Sequence, residues 1–279
     1  MLRLVVLSLA VAVAFALESE VDCGADAVVC GNGKSVTKTL RFGEGAPSQL
    51  HSNAANADVV IVKGDENKVV WEIDEGFLTQ MKPKARRNHY DRRDVLVVVD
   101  SFTKAGKRVF GNLDKIHCPE GLTCANKATI TVMSLQQLNR FGSGSVSSVE
   151  TWDGPVFDSQ NWGSKPISLT LNYVKVKVLA YSASYDLKGS AGVLQLTQRS
   201  ELPLDATALQ AQLVRVAARA PRVDDSRFPK PYPVRGLVSV HAKTRLDVNF
   251  EVKGAVGYLG SPKVTQNKFP GGKVFKLGQ

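Results

Sequence analysis

Aromatic residues are scarce in this 279-residue chain, at 7%, and histidines number only four. His51, His89, His117 and His241 share no H-E-x-x-H or close H-x-H spacing, which leaves a metal or triad role without support. No Cys-x2-Cys pair occurs, so the usual spacing of structural zinc sites is missing, and no cofactor is expected. There is no N-x-S/T sequon, so N-glycosylation is not expected. With 43% hydrophobic and 22% charged residues, the chain is too apolar for a disordered protein, and it has no Gly-X-Y period. What remains is one large or two small globular domains. Their richness in Gly, Val, Leu, Ser and Thr leans towards β-structure with tight turns.

Nothing after residue 17 is long or apolar enough to span a bilayer as a helix. The one long apolar run lies before it. In MLRLVVLSLAVAVAFA, Arg3 precedes an uncharged stretch from Leu4 to Val13 that closes on Ala14-Phe15-Ala16. That is the order of a secretory signal peptide, with cleavage expected near Ala16 and a secreted, extracellular product. The C-terminal FPGGKVFKLGQ lacks the hydrophobic tail of a lipid-anchored precursor.

Cys23, Cys30, Cys118 and Cys124 make an even count, which in an exported chain reads as two disulfides. Four cysteines permit three pairings. The local ones, Cys23 with Cys30 and Cys118 with Cys124, are favoured because each closes a Gly-containing polar loop.

Period two recurs along most of the chain. Val59–Val62 and Lys68–Ile73 flank a polar, Gly-containing turn and read as a hairpin. Val95–Val99 is a continuous apolar run, as expected of a strand covered on both faces. Leu246, Val248, Phe250 and Val252 alternate with Asp247, Asn249, Glu251 and Lys253. Ala206–Ala220 is rich in helix formers, yet Val214 and Val216 alternate around Arg215. The triplets Val176-Lys-Val178, Leu194-Gln-Leu196 and Val214-Arg-Val216 follow at intervals of 18 and 20 residues. Tyr185-Asp-Leu187 and Leu202-Pro-Leu204 are further strand candidates between them. A period near 20 with short strands points to an all-β solenoid, with Val176, Leu196, Val216, Val248 and Phe250 facing inward.

Several segments carry a family resemblance. Gly142-Ser-Gly-Ser-Val146, the rung-like Thr170–Gly192, the Leu40–Val99 stretch and Val252–Val264 resemble the putative auto-transporter adhesin, head GIN domain family. The likeness extends over residues 38–264. It implies a right-handed β-helix of stacked rungs in a secreted or surface protein. The flanks then divide into a signal peptide (1–16), a disulfide-bearing segment (17–37) and a C-terminal tail (265–279). Where the family repeats GSG, this chain has Ser182-Ala-Ser184 and Arg199-Ser-Glu201, so those turns must be built without glycine. The Pro-rich insertion 221–235 is expected to project from the rungs. The resemblance supplies no catalytic residues, and fold analogy alone establishes no function.

Gly31-Asn-Gly-Lys-Ser35 mimics the end of a phosphate-binding loop, but Val28 stands where the motif needs glycine, so it reads as a turn. Asp153, Asp158, Asp186, Asp205, Asp224 and Asp225 are available for carboxylate chemistry, with no pectinase-like constellation among them. The basic segment is more informative. Of a net +10, Lys82–Arg108 carries nine basic and three acidic residues, or +6, and reads as a loop. Its Arg86, Arg87, Arg92 and Arg93 are candidates for gripping an acidic polysaccharide or an anionic cell surface. Export makes nucleic acid an unexpected partner. The leading expectation is a secreted, non-catalytic β-solenoid of the adhesin type. A carbohydrate-active enzyme of parallel β-helix type is the alternative, and a purely structural extracellular component is a third.

Overall fold

The computed structural model describes residues 29–41, 49–53, 57–78, 81–90, 93–104, 107–109, 116–142, 144–181, 183–219, 236–267 and 269–278. The signal segment, Cys23, Arg92 and the 221–235 insertion lie outside them. The amino-proximal strands are β1 (Val29–Cys30), β2 (Ser35–Arg41), β3 (Gln49–Asn53), β4 (Asp58–Lys63) and β5 (Lys68–Asp74). After the single-turn helix α1 (Glu75–Leu78) come β6 (Met81–Tyr90), β7 (Arg93–Lys104), β8 (Lys107–Val109) and β9 (Ile116–His117). The next are β10 (Asn126–Val132), β11 (Gln137–Arg140), β12 (Val146–Asn161), β13 (Ile167–Ala180) and β14 (Tyr185–Gln198). The remainder are β15 (Leu204–Ala218), β16 (Leu237–Phe250), β17 (Gly254–Leu259), β18 (Lys263–Gln266) and β19 (Gly272–Lys276).

Strands of 14 to 16 residues are too long to stay straight over a small core, and β12 to β16 each bend round a corner to serve two faces. Each pairs in parallel with the next, giving a β-solenoid of about six turns. The repeated triplets fall in register. Val176 pairs with Leu194, Leu194 with Val214, Val214 with Leu246, and Leu246 with Val264. Val176, Leu196, Val216, Val248 and Phe250 are all buried, as expected from period two. Burying each contributes roughly 1.5–3 kcal/mol. Ala206–Ala218 is strand despite its helix formers. β14 and β16 supply a ladder on both edges, and Leu209, Ala211, Val214 and Val216 join the common core. Tertiary pairing outweighs a propensity of a few tenths of a kcal/mol per residue. Leu202 is exposed and precedes the strand, so of the triplet Leu202-Pro-Leu204 only Leu204 enters a rung.

Three expectations need correction. The Val59–Val62 and Lys68–Ile73 hairpin is split, because β10 lies between its arms, parallel to β4 and antiparallel to β5. A hairpin turn can step over one intervening strand when its loop is four residues long, and Gly64 N–H then bonds Val132 O at 3.2 Å instead of closing a two-strand turn. The basic segment is not a loop. Met81–Tyr90 and Arg93–Lys104 pair antiparallel, and Val95–Val99 also pairs in parallel with β3, so the apolar run is hydrogen-bonded on both edges. Nor is 265–279 a tail: β18 completes a rung on β16, and β19 pairs in parallel with β17. Phe269 and Val274 pack onto the end of the core.

Two tyrosines are built into this core. Tyr185 Oη shares a 3.0 Å hydrogen bond with Ser159 Oγ, and Tyr173 Oη donates to Leu135 O. Burial pushes both phenols well above their ordinary value, with the charges of Asp158 and Asp153 adding to it. A raised folded pKa means stability is intact below about pH 10 and falls as pH rises beyond it, by about 1.4 kcal/mol per pH unit for each phenol. Denaturation followed from pH 9 to 11.5 should show this slope. It should be shallower in Tyr185→Phe, and equal slopes in both proteins would contradict the assignment.

Candidate functional site

The turns that leave the rungs are held by a column of registered side chains. Ser52 pairs with Arg140, Arg140 with Asn161, Asn161 with Ala180, Ala180 with Gln198, Gln198 with Ala218 and Ala218 with Phe250. The polar members of this column, Ser52, Arg140, Asn161 and Gln198, are buried. Each polar side chain beyond Ser52 ties down the turn that follows it. Arg140 donates to Gly144 O at 2.7 Å, Ala57 O at 3.3 Å and Ser52 Oγ at 2.9 Å. Asn161 Nδ2 donates to Lys165 O and Ser184 O, and its Oδ1 accepts from Gly163 N. Gln198 Nε2 donates to Ser200 O and Leu202 O, while Ser200 Oγ accepts from Leu202 N. The Arg199-Ser-Glu201 turn therefore stands without glycine because an inward amide holds its carbonyls.

One position further along, side chains stack outside. Phe141 and Trp162 lie 6.1 Å apart and nearly parallel, Trp162 and Tyr181 are stacked, and the Arg199 guanidinium sits 5.5 Å from the Tyr181 ring centre. Aromatic platforms for sugars need an open ring face. Here Trp162 is covered on both faces by its neighbours and Tyr181 by Trp162 and Arg199, so this spine braces turns.

Beyond the spine, the outer face of the second half of each rung carries charge in registered columns. Asp158, Lys177, Gln195, Arg215, Asp247 and Thr265 form one, and Val156, Lys175, Val193, Leu213, Arg245 and Lys263 the next. Five cations face two carboxylates. An open groove of about 610 Å³ runs across the carboxy-terminal rungs of this face, lined among others by Arg215, Arg219, Arg245, Asp247, Asn249 and Asn267. Ala217 lies in the groove between Thr197 and Asn249, its register partners, and its small side chain leaves the floor low. Asp247 accepts from Arg245 Nε at 2.7 Å and lies 3.9 Å from Arg215 Nε. Arg219 Nε lies 3.3 Å from Glu251.

Of the arginines named from sequence, Arg86 and Arg87 occupy adjacent positions of β6, opposite Val97 and Leu96, and Arg93 opens β7 opposite Tyr90. Those strands lie at the amino-proximal end and the groove at the other, so sequence proximity and the groove select different residues. Sequence reading does not find the groove because its arginines are single residues spread over two rungs and a turn. Its one available signal was the Arg215 triplet position.

Cys118 and Cys124 form a disulfide with Cα atoms 5.8 Å apart, as expected. Cys30 is also disulfide-bonded, and its expected partner Cys23 lies outside the described residues. β1 pairs with β9 so that Cys30 lies opposite His117, next to Cys118, and Gly31 lies so near Cys124 that a Cβ there would stand 2.3 Å from its Sγ. The phosphate-loop lookalike is filled by the protein itself. Asn32 N, Gly33 N and Gly76 N each donate to the buried Asp74 carboxylate at 2.8 Å. The backbone nest is real, but its anion is internal.

The aspartates considered for catalysis are spread out. Asp153 pairs with Lys63 at 2.8 Å, Asp158 with Lys177 at 3.8 Å and Asp186 with Lys188 at 3.5 Å, and Asp205 accepts from Thr207. Asp186 and Asp205 are register neighbours, on the outer face and not across a groove. Asp224 and Asp225 lie outside the described residues. Among the described residues no group of three His, Cys, Asp or Glu side chains could hold a metal ion.

The model of the family described as "Putative auto-transporter adhesin, head GIN domain" matches residues 49–221. The match is shorter than the 38–264 expected from motifs, and the Val252–Val264 run falls outside it. No curated protein matches the chain. Among solved structures, it is similar to a putative adhesin from Bacteroides fragilis, with 14% identity and a TM-score of 0.67 over 89% of this chain and all of that one. A putative adhesin from Parabacteroides distasonis is similar at 17% identity and a TM-score of 0.58, over 89% of this chain and 99% of the other. A putative lipid binding protein from the same species follows at 16% identity and a TM-score of 0.59, over 90% and 99%. At these identities the likeness is one of fold.

Proposed function

The chain belongs to the putative auto-transporter adhesin, head GIN domain family, and from that premise we propose that it is an extracellular, non-catalytic adhesin-type solenoid that binds an acidic polymer. The observation that carries this is the charge pattern. Lys175 and Lys177 on β13, Arg215 on β15, Arg245 on β16 and Lys263 on β18 lie in two adjacent registered columns of one lateral face, and the segment Lys82–Arg108 adds +6 at the amino-proximal end. Stacking rungs about 4.8 Å apart spreads these cations along the solenoid axis, which suits an extended polyanion more than a small one. Export is supported by the n-region, h-region and A-x-A order of residues 1–16. Among the described residues no helix is long and apolar enough to cross a membrane. The non-catalytic reading draws support from the groove, whose lining includes one carboxylate, Asp247, ion-paired with Arg245. Glycoside hydrolysis uses two carboxyl groups across the scissile bond.

The test is retention of the mature protein on an acidic polysaccharide column, with a neutral polysaccharide as control. Retention should weaken as salt rises, since exposed charges act over about 8 Å at physiological ionic strength. The variant with Arg86, Arg87, Arg92 and Arg93 all changed to Ser should elute at lower salt. Absence of retention at low salt would overturn the reading, and equal elution of both proteins would remove the amino-proximal arginines from it.

A further inference from the structure

The groove across β14, β15, β16 and β18 has a chemistry of its own. Its three arginines come from two rungs and from the turn after β15, yet they line one concavity. All three guanidinium–carboxylate contacts run through Nε: Arg215 and Arg245 to Asp247, and Arg219 to Glu251. That geometry leaves the end-on pair of Nη groups on each guanidinium for an incoming planar or tetrahedral anion, to which Arg can donate two parallel hydrogen bonds. The three arginine side chains are about half exposed, at 55%, 44% and 57%, so they reach solvent without being stripped of support. Between them lie Gln195, Thr197 and Asn249, amides and a hydroxyl that can donate to and accept from sugar hydroxyls, while the Asn267 amide is held by the Phe250 backbone. The lining carries no aromatic side chain, so recognition there rests on hydrogen bonds and charge. The low floor at Ala217 gives the ring of a saccharide somewhere to sit.

We infer that this groove is a binding site for an acidic oligosaccharide, with its carboxylates or sulfates held by Arg215, Arg219 and Arg245 and its hydroxyls by Gln195, Thr197 and Asn249. The inference rests on the polymer-binding reading above and assigns it a defined site. Asp247 sets the arginine geometry: one carboxylate shared by Arg215 and Arg245 holds both stems apart while leaving the pair with one net positive charge.

The experiment is calorimetric titration of the mature protein with a heparin-derived tetrasaccharide, with cellotetraose as the neutral control and sodium sulfate as the free anion. Binding of the tetrasaccharide is expected, with at least a tenfold loss in Arg215→Gln/Arg245→Gln. Ala217→Phe changes no charge but raises the floor, and it should lose binding to a similar degree while melting at the wild-type temperature. If the wild type is retained on the polymer column but Ala217→Phe and Arg215→Gln/Arg245→Gln bind the tetrasaccharide as it does, the groove inference falls and the polymer reading stands. If the wild type binds neither tetrasaccharide nor polymer, both fall. Equal affinity for cellotetraose, or sulfate binding alone, would overturn the assignment of an acidic saccharide.

Discussion

Arg140→Met is expected to lower the unfolding free energy by about 2–5 kcal/mol, because it leaves buried acceptors without a donor. The side chain is fully buried in the polar column between Ser52 and Asn161. Its guanidinium holds the carbonyls of Ala57 and Gly144, which belong to two successive turns of the solenoid, and the Ser52 hydroxyl. Methionine fills similar volume but donates nothing, so those acceptors would be left buried and unpaired, at about 1–3 kcal/mol each where water cannot enter. Arg140→Lys should recover only part of the loss, because a single ammonium cannot span two turns as the planar fork does. Urea unfolding followed by tryptophan fluorescence is the measurement. A midpoint within error of wild type would mean that the turns are held by their backbone pairing alone.

The second large effect is expected at Gly189, which sits at the corner of β14 with φ of 106°. A side chain there meets two penalties. The positive φ costs an L-residue of order 1–3 kcal/mol, and a Cβ would stand 2.1 Å from the carbonyl oxygen of Leu171 in the rung below. That oxygen belongs to the backbone, so relief requires the rungs to part. Gly189→Val should therefore cost about 3 kcal/mol or more and lower Tm by roughly 6–12 °C at the sensitivity of a domain this size. Gly121→Ala is the matched control. It has φ of 80° but nothing within 4 Å of the added Cβ, so only the backbone penalty applies. Equal melting shifts in the two variants would show that the corner yields and that the close approach to Leu171 costs nothing.

The legibility of this fold followed from how local its signals are. Alternation in Leu246–Lys253 and the triplets at Val176, Leu194 and Val214 belong to single strands or to neighbours 18 to 20 residues apart. Period two places side chains by covalent geometry alone, so their burial could be read before any tertiary contact was known. The Cys118–Cys124 bridge was legible for the same reason, as a short loop closed on itself. In the candidate site the reverse holds. Lys82–Arg108 stood out as a dense run of charge, but a run of charge in sequence becomes a patch only if the chain folds its members onto one surface. Arg215, Arg219 and Arg245, each separated by other residues, share a groove because β15 and β16 lie in register.

The sequence by itself determined the alternating strands of the central rungs, the direction of their apolar faces and the near-20-residue advance between them, since each depends on neighbours in the chain. Only the tertiary structure decided which strands meet. It placed β10 between the arms of the expected hairpin, and aligned Ser52, Arg140, Asn161 and Gln198 into one column, the neighbours Ser52 and Arg140 lying 88 positions apart in sequence. The physical reason is that backbone hydrogen bonds are indifferent to side-chain identity. Register is chosen by the sum of packing and polar satisfaction over the whole stack, and that sum has no value until every rung is in place.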